Sequence, residues 1–193
     1  MEWKLQGNYP STFEFHEHRP RANHLIEQQH NQRLRMAARM IANLQPRSVV
    51  DLGCGDGGLL KLLNGYAITA WGYDFCPGNV EGAVNAKDRG LDVQLIDVFN
   101  TRTVPEWGQV AVMTEVLEHL ADPHDVLAWV SENVEYVLVS SPHGERPDSF
   151  DECHIWAWDI PGYAEMVSEH FEVLQHETAD WSQLIVGRSK YEG

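Results

Sequence analysis

The chain has 193 residues, 43% of them hydrophobic and seven of them tryptophan, which excludes a disordered polymer and is enough for one substantial core. Its 29 acidic side chains outnumber 14 basic ones, for a formal charge of −15. That balance counts against extended contact with nucleic acid, where affinity comes from Lys and Arg displacing counterions from phosphate.

No apolar run is long enough to span a bilayer, so no membrane partner is expected. The opening stretch "MEWKLQGNYPSTFEFHEH" lacks the apolar core of a signal peptide. Cys54, Cys76 and Cys153 are odd in number and lack metal-type spacing, which predicts a reducing, cytoplasmic setting without disulfides.

Residues 1–22 are turn-rich and sprinkled with aromatics, which predicts an irregular arm. From Asn23 to Leu44, the side chains of Leu25, Leu34, Ala37, Ala38, Ile41 and Leu44 fall on one helical face, and Pro46 stops the helix. Arg33, Arg35 and Arg39 on the same helix read as a solvated face. Then the pattern alternates. "SVVDLG" predicts a buried strand, "GGLLKLLNG" a helix, "AITAWGYD" a strand, and "PGNVEGAVNAKDRG" a helix with Pro77 in its first turn. "DVQLID" and "VAVMT" are strands, "DPHDVLAWVSENV" is a helix capped by Asp122, "YVLVSS" is a strand and "IPGYAEMVSEHF" a helix. "FEVLQHET" and "WSQLIVGR" close the chain as adjoining strands.

Strands alternating with helices predict an α/β fold with a parallel sheet covered on both faces, and the closing pair predicts an antiparallel edge. The expected organisation is one domain over 1–193, with an arm and helix at 1–45 and the core at 46–193.

"VVDLGCGDGG" is the most informative stretch. Gly53, Gly55 and Gly58 satisfy G-x-G-x-x-G between a predicted strand and a predicted helix. Glycines there allow a tight turn and let a ligand reach backbone N–H groups at the helix start. Asp51 precedes the turn at the strand end. A carboxylate there suits a ligand bearing an ammonium group and sits badly beside a dinucleotide pyrophosphate. Asp74 ends the second strand, placed for ribose hydroxyls, and Asp97 ends the third, where it can accept from an exocyclic amine.

"TEVLEHL" gathers Glu115, Glu118 and His119 where an apolar strand ends. Positions three and four apart are neighbours on a helical turn, so these groups could cap a helix, bind a metal or pass a proton. Histidine as a residue type titrates near neutrality, which makes His119 a candidate base.

In this order and spacing, "VVDLGCGDG", "GYDF", "LIDVF" and "TEVLEHLADP" resemble the class I S-adenosylmethionine-dependent methyltransferases, over about residues 47–188. The resemblance implies a Rossmann-like three-layer sandwich with a seven-stranded, mostly parallel sheet and an antiparallel last strand. It implies S-adenosylmethionine as cofactor. Asp51, Gly53, Cys54, Gly55 and Gly57 would line its methionine part, Asp74 with Phe75 its ribose, and Asp97 with Val98 its adenine. Thr114 and Glu115 would lie near the transferred methyl. His119, with Glu115, would serve catalysis.

The expected reaction is O-methylation of a small-molecule acceptor. The motif E-x-x-E-H is similar to one in ubiquinone-pathway O-methyltransferases and in enzymes that 2′-O-methylate the ends of small RNAs. Carried over by position, Glu115, Glu118, His119 and His154 would hold a divalent cation. That donor set suits Mn²⁺, Fe²⁺ or Zn²⁺ better than Mg²⁺. His143, Glu145, Asp151 and Glu152 share the loop with His154. Trp156 and Trp158 form either a substrate wall or packing, and His16 and His18 would line the same cleft only if the arm folds over it. The acidic charge, and a shorter interval from His119 to His154 than in the RNA group, count against RNA. A nicotinamide-dependent oxidoreductase using the same turn is disfavoured by Asp51. A non-catalytic cofactor-binding module would leave the polar cluster at 115–119 without a purpose.

Overall fold

The structure is a computed structural model that describes residues 1–5, 15, 24, 28–85 and 91–192. His16, His18 and Leu25, together with the expected start of the first helix, lie outside the described residues. The elements in chain order are β1 (Glu2–Lys4), α1 (Gln28–Leu44), β2 (Ser48–Leu52), α2 (Gly58–Gly65), β3 (Thr69–Asp74), α3 (Pro77–Asn85), β4 (Asp92–Leu95) and α4 (Val98–Thr101). They continue with β5 (Val110–Thr114), a 3-10 turn at Leu117–His119, α5 (Pro123–Ser131), β6 (Tyr136–Pro142), β7 (Trp156–Trp158), α6 (Ile160–Ser168), β8 (Phe171–Ala179) and β9 (Ser182–Ser189).

Seven strands form one sheet in the order β4-β3-β2-β5-β6-β9-β8. The pairs β2–β3, β2–β5 and β3–β4 are parallel, as helical crossovers require. β9, last in the sequence, inserts between β6 and β8 and runs antiparallel to both. The expected antiparallel pair is present, but β8 forms the edge and β9 is interior.

By contacts the chain forms two compact units, His16–Val112 and the combination of Met1–Phe15 with Met113–Gly193. In the first unit, α1 buries Leu34, Ala37, Ala38 and Ile41. The helix ends where Gln45 turns left-handed (φ 52°) and donates its N–H to Ala42 O, one residue before Pro46. Arg35 and Arg39 are exposed as expected, whereas Arg33 is buried with its guanidinium 3.3 Å from His30 Nδ1. Beneath the glycine turn, Cys54, Leu60, Val80, Leu91 and Val93 form one apolar cluster.

In the second unit, Val137, Leu138 and Val139 on β6 and Leu184 and Ile185 on β9 are fully buried. Full burial of each such side chain is worth about 1.5–3 kcal/mol. Asp122 caps α5 by accepting from Asp125 N at 3.0 Å, as its position predicts. The arm is not irregular throughout: Glu2–Lys4 pair antiparallel with Trp156–Trp158. Three residues are too short for a period-2 pattern to be read, so only the partner strand reveals them. A Cβ at Gly162 would collide with the Met1 backbone, and the Met1 ammonium pairs with Asp159, the N-cap of α6. The tryptophans pack: Trp158 is fully buried and stacks on Trp156 with ring centroids 6.3 Å apart.

Candidate functional site

The first unit holds the glycine turn. Gly53, Gly55 and Gly57 have φ of 85°, 54° and 72°, the left-handed region where an L side chain is strained. Gly53 and Cys54 both donate their N–H to Tyr73 O, at 2.8 and 3.1 Å, which ties the turn to β3. The partner position on β3 is Gly72, where a Cβ would stand 2.6 Å from Cys54 Cβ. Nothing local in the sequence marks Gly72 as the surface on which Cys54 docks.

Asp74 is 5% exposed and organises the turn. Its Oδ2 accepts from Gly55 N at 2.9 Å, and its Oδ1 accepts from Cys76 N at 2.8 Å and Asn79 Nδ2 at 3.3 Å. Burial raises its pKa, and these donors work against that rise. Asp51 is 1% exposed, and its Oδ1 has no hydrogen-bond partner among the described residues. Burial first, then the charges of Asp74 and Asp56, push its pKa up to about 8. Asp97 caps α4, its oxygens accepting from Asn100 N at 3.1 Å and Asn100 Nδ2 at 2.7 Å, with Val98 buried beside it.

His24 belongs to this site and no sequence signal marked it. Its backbone N–H donates to Asp56 Oδ2 at 2.9 Å, and its Nδ1 lies 3.1 Å from Asp56 Oδ1. The imidazole sits against Gly55, with Cε1 at 3.4 Å from where a Cβ would be. Asp56 in turn accepts from Gly58 N at 3.1 Å, so one carboxylate joins the turn, the start of α2 and His24.

The second unit holds the acid–histidine cluster. Glu115 follows β5 in a left-handed conformation (φ 56°), uncommon for a residue with a side chain. This turns its N–H to Ser140 on β6, with Ser140 O and Oγ each at 3.1 Å, and Ser140 Oγ donates back to Glu115 Oε1 at 2.8 Å. Glu118 is fully buried. Burial raises the Tyr163 hydroxyl well above its ordinary pKa, and the charges of Glu118 and Glu115 add to the rise.

His119 and His154 meet edge to face with ring centroids 4.8 Å apart. His119 Nδ1 lies 3.3 Å from Cys153 O, and His154 Nδ1 lies 2.7 Å from Glu145 Oε2. Among the described residues, the metal-competent group that converges is His119, Cys153 and His154, with ligand atoms within 4.8 Å of one another. Of the four residues expected to hold a cation, the two histidines come together, while Glu115 and Glu118 stand outside this group. Cys153 joins instead, a residue that spacing alone gave no reason to single out. A cavity of about 340 Å³ opens in the same unit, lined by residues that include Pro142, His143, Glu145, Phe150 and Trp181.

A reversed last strand, a left-handed glycine turn after β2 and acids ending successive strands define a Rossmann-like methyltransferase fold. Solved structures share it. The N-methyltransferase NodS from Bradyrhizobium japonicum, in complex with S-adenosyl-L-homocysteine, superposes with a TM-score of 0.72 at 14% identity, covering 94% of this chain and 100% of that one. The magnesium protoporphyrin IX methyltransferase ChlM from Synechocystis, with bound S-adenosylmethionine, gives 0.65 at 13% identity, covering 83% and 80%. The methyltransferase domain of bacterial CtHen1 gives 0.65 at 19% identity, covering 83% and 99%. No curated protein sequence matches the chain. The family described as "Methyltransferase domain" matches residues 15–181, so the chain belongs to it, an S-adenosylmethionine-dependent methyltransferase. Among the described residues, no helix is long and apolar enough to cross a membrane.

Proposed function

We propose that the enzyme transfers a methyl group to an oxygen of a small-molecule acceptor. The residues around the glycine turn fit S-adenosylmethionine. Asp51 Oδ1 is buried and, among the described residues, without a partner, which matches a ligand that brings an ammonium group. Asp74 accepts from three donors and retains lone pairs for ribose hydroxyls. Bound there, the cofactor would supply an electrophilic methyl on a sulfonium. Transfer is then an in-line displacement, for which the protein must position the acceptor and take its proton.

The observation that carries the acceptor reading is the approach of His119 Nδ1 to Cys153 O, at 3.3 Å. An oxygen at its Nδ1 favours the tautomer protonated there, which leaves Nε2 with the lone pair. That nitrogen can take the proton of an acceptor hydroxyl. The acidic charge of −15 supports a small-molecule acceptor.

The test is an acceptor panel of phenols, carboxylic acids, amines and a short RNA with a free 3′ end, incubated with methyl-labelled S-adenosylmethionine. Label on the oxygen of a small acceptor is expected. Label found only on amines, or only on the RNA terminus, overturns the proposal.

A further inference from the structure

We propose that His119, Cys153 and His154 form a three-ligand site for a thiophilic divalent cation, zinc above all. The three ligand atoms lie within 4.8 Å of one another. In tetrahedral zinc sites with Zn–N of about 2.0–2.1 Å and Zn–S of about 2.3 Å, ligand atoms stand roughly 3.3–3.6 Å apart. A bound zinc would draw the three atoms together by about 1 Å.

Both imidazoles are already oriented as metal ligands usually are. His154 Nδ1 lies 2.7 Å from Glu145 Oε2, the carboxylate–histidine arrangement that fixes a ligand's tautomer and ring orientation. His119 Nδ1 faces a backbone carbonyl, Cys153 O, at 3.3 Å, which does the same with a neutral acceptor. Glu145 is itself held, its Oε1 accepting from Asp151 N at 2.9 Å. Cys153 is buried, and its thiol donates to Asp151 Oδ1 at 3.0 Å. Binding releases that thiol proton to solvent and leaves a thiolate on the cation.

The donor set decides the metal. One thiolate with two imidazoles selects zinc over Mg²⁺ or Ca²⁺, which take oxygen ligands, and over Mn²⁺, lower in the affinity order. Three protein ligands leave a fourth position open, as in catalytic rather than structural zinc sites. With zinc present, His119 Nε2 is occupied. The acceptor hydroxyl would then be made acidic by the cation as a Lewis acid and give its proton to solvent rather than to the imidazole. The role at the acceptor rests on the methyl-transfer reading; the binding of zinc does not.

The experiment uses the full-length protein stripped with chelator and titrated with zinc alone by calorimetry, then with Co²⁺ followed by absorbance. One equivalent of zinc is expected, with no response to Mg²⁺. Cobalt is expected to give the intense visible bands of a tetrahedral site and a thiolate-to-metal charge-transfer band. Cys153→Ser should abolish that band and weaken zinc by at least about tenfold, and Glu145→Gln should weaken it about 10- to 100-fold. Far-ultraviolet circular dichroism and S-adenosylhomocysteine affinity report that each variant folds. A six-coordinate cobalt spectrum without charge transfer, or zinc affinity unchanged by Cys153→Ser, overturns the site. Binding of Mn²⁺ that is lost in Glu118→Gln but not in Cys153→Ser also overturns it, in favour of the carboxylates. Failure to bind S-adenosylhomocysteine, by contrast, counts only against the methyl-transfer reading.

Discussion

His119 and His154, brought from opposite ends of a long intervening segment, meet edge to face with ring centroids 4.8 Å apart. Each has its Nδ1 committed to an oxygen, one a carbonyl and the other a carboxylate. The pair is therefore asymmetric. His154 carries a negative partner and His119 a neutral one, so His119 is the histidine that serves as ligand when a cation is bound and as base when it is not.

In the metal-free enzyme, His119→Ala should lower kcat by about 10²- to 10⁴-fold, the usual contribution of a positioned base. S-adenosylhomocysteine affinity should stay within a factor of two or so, roughly the spread of a surface substitution. Single-turnover rates with calorimetry on the same samples separate the two effects. Equal loss in both would mean that His119 shapes the fold rather than the chemistry.

Asp74→Asn keeps the shape of the side chain but removes the charge that Gly55 N, Cys76 N and the ribose would share. A hydrogen bond to a charged group is worth about 1.5–3 kcal/mol, so S-adenosylhomocysteine should bind roughly ten- to a hundredfold more weakly. NAD titrated into the wild-type protein should give no saturable heat. Tight NAD binding with no response to S-adenosylhomocysteine would contradict the cofactor assignment.

Asp51 gives a pH dependence of defined sign. Its pKa is raised from the ordinary 3.8 of an aspartate to about 8 in the folded protein. Between those values the folded protein holds a proton that the unfolded chain has lost, so this residue makes stability fall as pH rises, levelling above about 8. A ligand ammonium needs the charged carboxylate, so binding expels that proton and affinity should climb with pH through the same window. In Asp51→Asn both slopes should flatten. Melting temperatures and calorimetry from about pH 5 to about pH 9 measure them. A wild-type affinity that is flat across this range would remove Asp51 from the ammonium site.

His24→Ala tests the contact over the glycine turn. Burial acts to raise the Asp56 pKa, but the hydrogen bonds and charge of His24 outweigh it, and the net shift is downward. A depressed carboxyl stabilises the fold above its unfolded pKa, and that contribution disappears as pH falls through the folded value. The variant should bring the Asp56 pKa up, read by carboxyl-carbon chemical shifts, and raise the midpoint of acid unfolding. An unchanged Asp56 titration would show that the contact does not form in solution.

Much of the first unit was legible because its chemistry is local. Asp51, Gly53, Gly55 and Gly57 lie within seven consecutive positions, and a strand followed by left-handed glycines and a helix needs nothing distant to form. Asp74 was legible for a related reason, since it ends an apolar run that reads as a buried strand, whereas Asp97 follows a strand of which only Val93 is buried. His24 was not, since its contacts to Asp56 and Gly55 depend on where a helix approach happens to pass. Gly72 was hidden similarly, because its reason is the Cβ of Cys54.

The sequence by itself determined the α/β alternation, the glycine turn, the cap at Asp122, and the gathering of acids with a histidine after β5. These follow from hydrophobic period, backbone freedom and side chains that bond to their own neighbours. Only the tertiary structure decided that β9 lies inside β8, and that Glu2–Lys4 pair with Trp156–Trp158. It also turned Glu115 to Ser140 and set Cys153 beside His119 and His154. Each of these is a meeting of segments distant along the chain. It is fixed by strand pairing and packing, which no local pattern encodes, so the metal-competent donor set became visible only once the fold was in place.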